Sequence, residues 1–205
     1  MPLLVLKEST RFQMEDMFMA SETFRFQAKD KATLDYTDGH IQRVNKAYAK
    51  YGKQLLEVLN IPGSEKELYT RCINHDKSKY SEVEFIGYRM HFSPKKDDDK
   101  EAAEKEWIKA WNHHQKYNDH HPEFWVLLDD ESHDTEKTSD KAGVVHYTPI
   151  EMPKIAVAEM LCDWASFTNS TPRIWFKKCM QYYAQIMHPT TFKLVDRVTK
   201  TIWGE

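Results

Sequence analysis

Ten histidines occur in this chain, and four of them, His113, His114, His120 and His121, fall within nine residues. A fifth, His75, is followed directly by Asp76. Imidazole nitrogen and carboxylate oxygen together suit Zn, Mn and Fe. The three cysteines, Cys72, Cys162 and Cys179, form no C-x-x-C pair, which argues against a structural zinc finger. His91, His133, His146 and His188 stand apart from the others and are read as ordinary surface or core residues. Leu68, Cys72 and His75 recur at helical spacing, so the sequence places His75-Asp76 in a helix, where adjacent side chains diverge by about 100°. One cation would use both only by lying between those two directions. Alternatively, Asp76 gives one oxygen to each of two cations. The plainer reading has Asp76 on the surface near Lys79, and His75 packed with Leu68 and Cys72.

Other residues raise the weight of that pair. His40 stands 35 residues upstream. Asp163 and, four residues before it, Glu159 interrupt a helix that is otherwise apolar (Ile155, Ala156, Val157, Ala158, Met160, Leu161, Phe167). Burying a carboxylate there is costly without a cation or an ion-pair partner. Arg43, Arg71 and Arg173 are the candidate partners in the structural alternative. The histidine cluster marks a helix end, because Asn118-Asp119 and Pro122 oppose continuation. His114 then faces inward with Trp107 and Ala110 while His113 is rotated away. His120 and His121, beyond the break, could reach back to the same centre.

The elements that must position these groups read as helices throughout. Asp38-Gly39 precedes a stretch with Ile41, Val44, Tyr48, Leu55 and Val58 that stops at Pro62-Gly63. Ser64-Glu65-Lys66-Glu67 and Ser81-Glu82-Val83-Glu84 read as capping boxes opening the next two helices. Asp97 to Asp99 provides an acidic start for the helix carrying Ala103, Trp107, Ala110 and His114. Ser170-Thr171-Pro172 opens a further helix that His188-Pro189 closes, and Phe192, Val195, Val198 and Ile202 mark the last. Residues 1–35 show no clean period and are expected to be an arm, with the helical domain over 36–205 and its site core over about 36–188. Within 125–147, Trp125 to Leu128 and Val144 to Tyr147 could pair as a small hairpin around a lid or binding loop.

Composition narrows the function. Only six glycines occur and neither G-x-G-x-x-G nor G-x-x-x-x-G-K-[ST] is found, which excludes the glycine-rich phosphate loops. A net charge of -3 argues against a general nucleic-acid coat. No apolar run exceeds five residues, so no membrane span is expected and no secretory leader is evident. The cysteine usage suits a reducing, cytoplasmic setting.

His40, His75-Asp76 and Asp163 resemble the signature of the HD superfamily of metal-dependent phosphohydrolases. More narrowly, His75-Asp76-Lys77-Ser78-Lys79, the run from His113 to Trp125, and Glu159-Met160-Leu161-Cys162-Asp163-Trp164 are similar to a bacterial and phage HD-like family with additional histidines. The resemblance implies an all-α, HD-domain-like fold. It implies a first metal on His40, His75, Asp76 and Asp163, and a second bridged by Asp76 and held by His114 with His120 or His121. Two divalent ions are expected, with Mn, Fe, Zn, Mg, Co and Ni not distinguished. The implied activity is hydrolysis of a phosphoester in a nucleotide or another small phosphorylated metabolite. The alternative on the same ligands is a di-iron oxygenase cleaving a C–C or C–P bond. Asp76, Lys79 and Glu159 are the catalytic candidates, and Lys77, Lys79 and Arg173 the phosphate-binding ones. The chain lacks the G-Y-P motif of cyclic-dinucleotide phosphodiesterases. Association of like chains stays open.

Overall fold

The computed structural model describes residues 30–128, 147–167 and 169–204, and within them the chain is all-α, with eight helices and one two-stranded antiparallel sheet. Helix α1 is Lys31–Val58, α2 Glu65–Ile73, α3 Glu82–Phe92 and α4 Lys100–Tyr117. After the strands β1, Val126–Leu128, and β2, Tyr147–Pro149, come α5, Lys154–Ala165, α6, Pro172–Lys178, α7, Met180–Ile186, and α8, Pro189–Trp203. Short 3-10 turns cover Lys77–Tyr80 and Pro122–Trp125. A hairpin forms, with Val126 opposite Pro149 and Leu128 opposite Tyr147; of the expected second flank only Tyr147 falls in β2, and 144–146 lie outside the described residues. The proposed lid between the strands, and the arm up to residue 29, lie outside the described residues.

Contacts divide the chain into two compact units. In the first (30–38 with 77–113), α3 and α4 approach closely at Gly87, where a Cβ would stand 2.4 Å from Ala110 Cβ and from the Glu106 carbonyl oxygen. Only glycine fits there. In the second unit (39–76 with 114–204), one core joins Val44, Leu55, Leu56 and Leu59 of α1 and its end to Leu68 and Cys72 of α2. Val157, Met160 and Leu161 of α5, Phe176 of α6, and Val195 and Val198 of α8 complete it. Each fully buried side chain of this size stabilises the unit by about 1.5–3 kcal/mol.

Several local expectations are corrected. Helix α1 starts at Lys31, so Asp38-Gly39 lies inside it and 31–35 belongs to the helix rather than to an arm. The buried positions before His40 are Thr33 and Thr37, which leave no apolar period to read. Neither capping box closes: Ser64 and Ser81 make no side-chain cap bond. Ser81 Oγ instead donates to the Ser78 carbonyl at 2.6 Å, and the buried Glu84 carboxylate lies 2.7 Å from His113 Nδ1. Thr171 does cap α6, its hydroxyl accepting from the Ile174 N–H. The segment read as one helix up to His188 breaks at Cys179 into α6 and α7. His188 opens α8, its Nδ1 accepting from the Thr190 N–H with Pro189 in the first turn.

Candidate metal centre

The second unit brings the seven expected ligands together: His40, His75, Asp76, His114, His120, His121 and Asp163. His40 lies on α1 one turn before Val44, on the stripe that faces the core. His75 and Asp76 follow α2 rather than continue it, a correction to the helical placement. Asn74 caps that helix, and Asp76 takes a left-handed conformation with φ of 56°. Aspartate tolerates this region better than most residues, so neither glycine nor proline announces the turn. Asn45 of α1 fixes the approach by donating to the Cys72 carbonyl at 3.2 Å. His114 belongs to the last turn of α4, and His120 and His121 immediately precede the Pro122–Trp125 turn. Asp163 extends from α5, where every residue from Ala156 to Trp164 is buried.

Asp76 divides its two oxygens. Oδ2 lies 3.2 Å from His40 Nε2 and 3.5 Å from His75 Nε2. Asp163 Oδ1 meets the same two nitrogens, at 3.2 and 3.5 Å. Asp76 Oδ1 lies 3.3 Å from both His114 Nε2 and His120 Nε2. Three overlapping sets therefore have ligand atoms within 4.8 Å of one another: His40, His75 and Asp76; His75, His120 and Asp163; and Asp76, His114, His120 and His121. These buried groups could hold a metal ion. Ligand atoms each about 2.1 Å from one cation at tetrahedral angles stand about 3.4 Å apart, so the observed separations fit. His75 Nε2, His120 Nε2 and Asp163 Oδ1 are buried yet make no hydrogen bond among the described residues. Buried polar atoms that lack a hydrogen bond are uncommon, and here all three belong to one donor set and meet the centre's other members only at 3.2–3.5 Å.

A second layer aims these rings. Glu159 Oε1 is 2.9 Å from His75 Nδ1 and 3.4 Å from His120 Nδ1. Such a carboxylate favours the Nδ1–H tautomer and leaves Nε2 as the ligating atom. The other Glu159 oxygen accepts from Arg71 Nε at 2.7 Å, and Arg71 also binds Asp119. The ion pair foreseen as the structural alternative thus exists, with Arg71 as the partner, and the same carboxylate serves the histidines as well. With both oxygens engaged, Glu159 is placed to position its neighbours. Neither Asn45 nor Asp119 carries a signal in the sequence that marks it as part of this layer. Asn118 lies 3.1 Å from His114 Nδ1, and its i+4 spacing is the signal that could have found it.

The electrostatics follow from this packing. Burial disfavours a proton on His75, but Asp76, Asp163 and Glu159 outweigh it and hold the imidazole well above its usual value. His120 is raised as well: burial and His75 oppose its proton, while Asp76 and Glu159 favour it. His121 is held well below the usual value by burial and by His120 and His114, which keeps it neutral, the form that binds metal. Burial would raise Glu159 and Asp163, yet the surrounding histidines lower both carboxyls.

The remaining candidates are not members of the three donor sets. Lys77 and Lys79 belong to the first unit; Lys77 is exposed, and the buried Lys79 holds its ammonium 4.8 Å above the Tyr88 ring. Arg173 of α6 is buried and donates to Asp196 Oδ1 of α8 at 2.6 Å. His113 pairs with Glu84 and belongs to none of the three ligand sets.

Fold and centre together define an all-α protein with a buried cluster of histidines and aspartates suited to metal. The chain belongs to a family of unknown function, DUF5662, whose model matches residues 29–201. No curated protein and no solved structure matches it. Among the described residues, no helix is long and apolar enough to cross a membrane.

Proposed function

We propose that this protein is a metal-dependent phosphohydrolase of the HD type, acting on a phosphoester of a nucleotide or another small phosphorylated metabolite. The observation that carries the reading is Asp76, which turns one oxygen toward His40 and His75 and the other toward His114 and His120. That division, with Asp163 on the first side and His121 on the second, is a ligand set for two divalent cations. When bound, such a pair makes water acidic enough to supply hydroxide near neutrality and neutralises the phosphoryl oxygens. The chain's own contribution is placement. The left-handed turn at Asp76 sets the bridging carboxylate, and Glu159 fixes His75 and His120 with Nε2 directed inward. His121 stays neutral. Burial of these groups excludes bulk water from all but the edge of the centre.

The test is metal analysis of the chain purified without added metal, then phosphate release from a panel of nucleotides and sugar phosphates after loading with single divalent metals. Two equivalents of metal and phosphate release that Asp76→Ala abolishes are expected. Iron with oxygen uptake and no phosphate release would replace this reading with the di-iron oxygenase. A chain that binds no metal would leave a binding module.

A further inference from the structure

The centre reaches solvent unevenly. The side chain of His75 is fully buried and that of Asp76 nearly so, whereas 16% of the His121 side chain and 12% of the Asp163 side chain are exposed. Four residues beyond Asp163, just past the end of α5, Phe167 stands 43% exposed. A lone exposed phenylalanine needs no explanation. This one has two neighbours that give it a direction. Its ring centroid is 5.9 Å from that of His40, a member of the ligand set, and 6.4 Å from that of Trp175, with the Phe167 and Trp175 planes within 26° of parallel. Trp175 is itself held fast, because its indole N–H donates to the Tyr183 hydroxyl at 2.9 Å. On the same indole, the exposed Lys178 ammonium lies 5.9 Å from the ring centroid. Beside a polar, buried centre the chain thus exposes a flat apolar surface of fixed orientation, with a cation at its margin.

From this arrangement we infer that Phe167 and Trp175 form a shelf on which the nucleobase of a nucleotide substrate stacks, with its phosphate directed toward the His/Asp centre. The inference rests on the phosphohydrolase reading for the phosphate end and names the substrate class. Every nucleobase offers a π-face, so stacking selects nucleotides over phosphorylated sugars without selecting one base. Phe167, bordering His40, is the residue that sets this preference, and Trp175 supports it from behind.

Two measurements on the full chain separate the shelf from the hydrolysis. The first is binding of the four common nucleosides, which carry no phosphate, followed by saturation-transfer NMR. Transfer to the base protons is expected for the parent, with about tenfold or greater weakening in Phe167→Ala and recovery in Phe167→Tyr. The second compares kcat/KM for nucleoside 5′-monophosphates with that for ribose 5-phosphate. The parent should prefer the nucleotides by about ten- to a hundredfold, the scale of one stacked base, and Phe167→Ala should lose that preference through KM. Equal turnover of nucleotides and ribose 5-phosphate in parent and variant would overturn the shelf while leaving the hydrolase standing. Nucleoside binding that depends on Phe167, without phosphate release from any substrate, would keep the shelf and overturn the hydrolase.

Discussion

Replacing Glu159 with Gln tests the second layer of the centre without changing its shape. Glu159 Oε1 lies 2.9 Å from His75 Nδ1 and 3.4 Å from His120 Nδ1, and Oε2 accepts from Arg71 at 2.7 Å. A glutamine retains one acceptor and turns the other end into a donor, so one side must meet N–H with N–H. If its oxygen stays with the histidines, they lose a charged acceptor and keep a neutral one, and Arg71 keeps only Asp119. Loss of such an outer partner costs about 10- to 100-fold in metal affinity, or about 1.4–2.8 kcal/mol. His75 makes the shorter contact and belongs with His40, while His120 sits with His114 and His121, so both equivalents of metal should weaken, the one held by His75 more. Titration with Co(II) against a competing chelator measures both affinities, and the visible bands report the coordination. Far-UV circular dichroism establishes that the variant is folded. A folded Glu159→Gln chain that binds both equivalents within twofold of the parent would refute the positioning role.

Two further outcomes follow from the same geometry. Asp76→Asn and Asp76→Ala should both lose metal, but the metal-free chains should differ in urea unfolding. Asparagine accepts the backbone at φ of 56°, whereas alanine pays about 1–2 kcal/mol for it; equal stabilities, or two equivalents retained by the alanine variant, would contradict the bridging turn. The pH dependence has two limbs. Glu159 and Asp163 are lowered in the folded chain, so their contribution is present above about pH 4 and is lost as pH falls through their folded values. His75 is raised, so its contribution is complete below about pH 6.5 and is lost as pH rises through its folded value. Unfolding of the metal-stripped chain should therefore show declining stability on the alkaline side, and a divalent metal should abolish that decline; an unchanged alkaline limb with metal bound would count against the site.

What was readable in the sequence was what violates a pattern. Glu159 and Asp163 stood out because they are charges in an apolar helix, and α5 buries both. His114 was readable from its phase with Trp107 and Ala110, and Thr171-Pro172 from its capping chemistry. The failures occurred where tertiary contacts decide. The start of α1 escaped because Thr33 and Thr37 are polar residues in buried positions. The break at Cys179 lacks glycine or proline. Glu84 has the spacing of a capping box but is drawn to His113 instead. The turn at Asp76 was missed because a left-handed aspartate leaves no mark in hydrophobic periodicity.

Charge explains why these residues make sense only as a set. Asp76, Asp163 and Glu159 bring three carboxylates into a space with His75, His114 and His120 almost wholly enclosed. Arg71 offsets Glu159 and is shared with Asp119, while Asp163 meets the imidazoles of His40 and His75. A neutral imidazole does not compensate a buried carboxylate, and uncompensated charge in such a place is costly. In the metal-free chain the remedy is protonation, which is why His75 and His120 are raised. Protons and divalent cations thus compete for the same nitrogens, and metal uptake must release protons. A measured release near zero on loading with metal at neutral pH would mean that the carboxylates are balanced some other way, and the centre would lose its physical rationale.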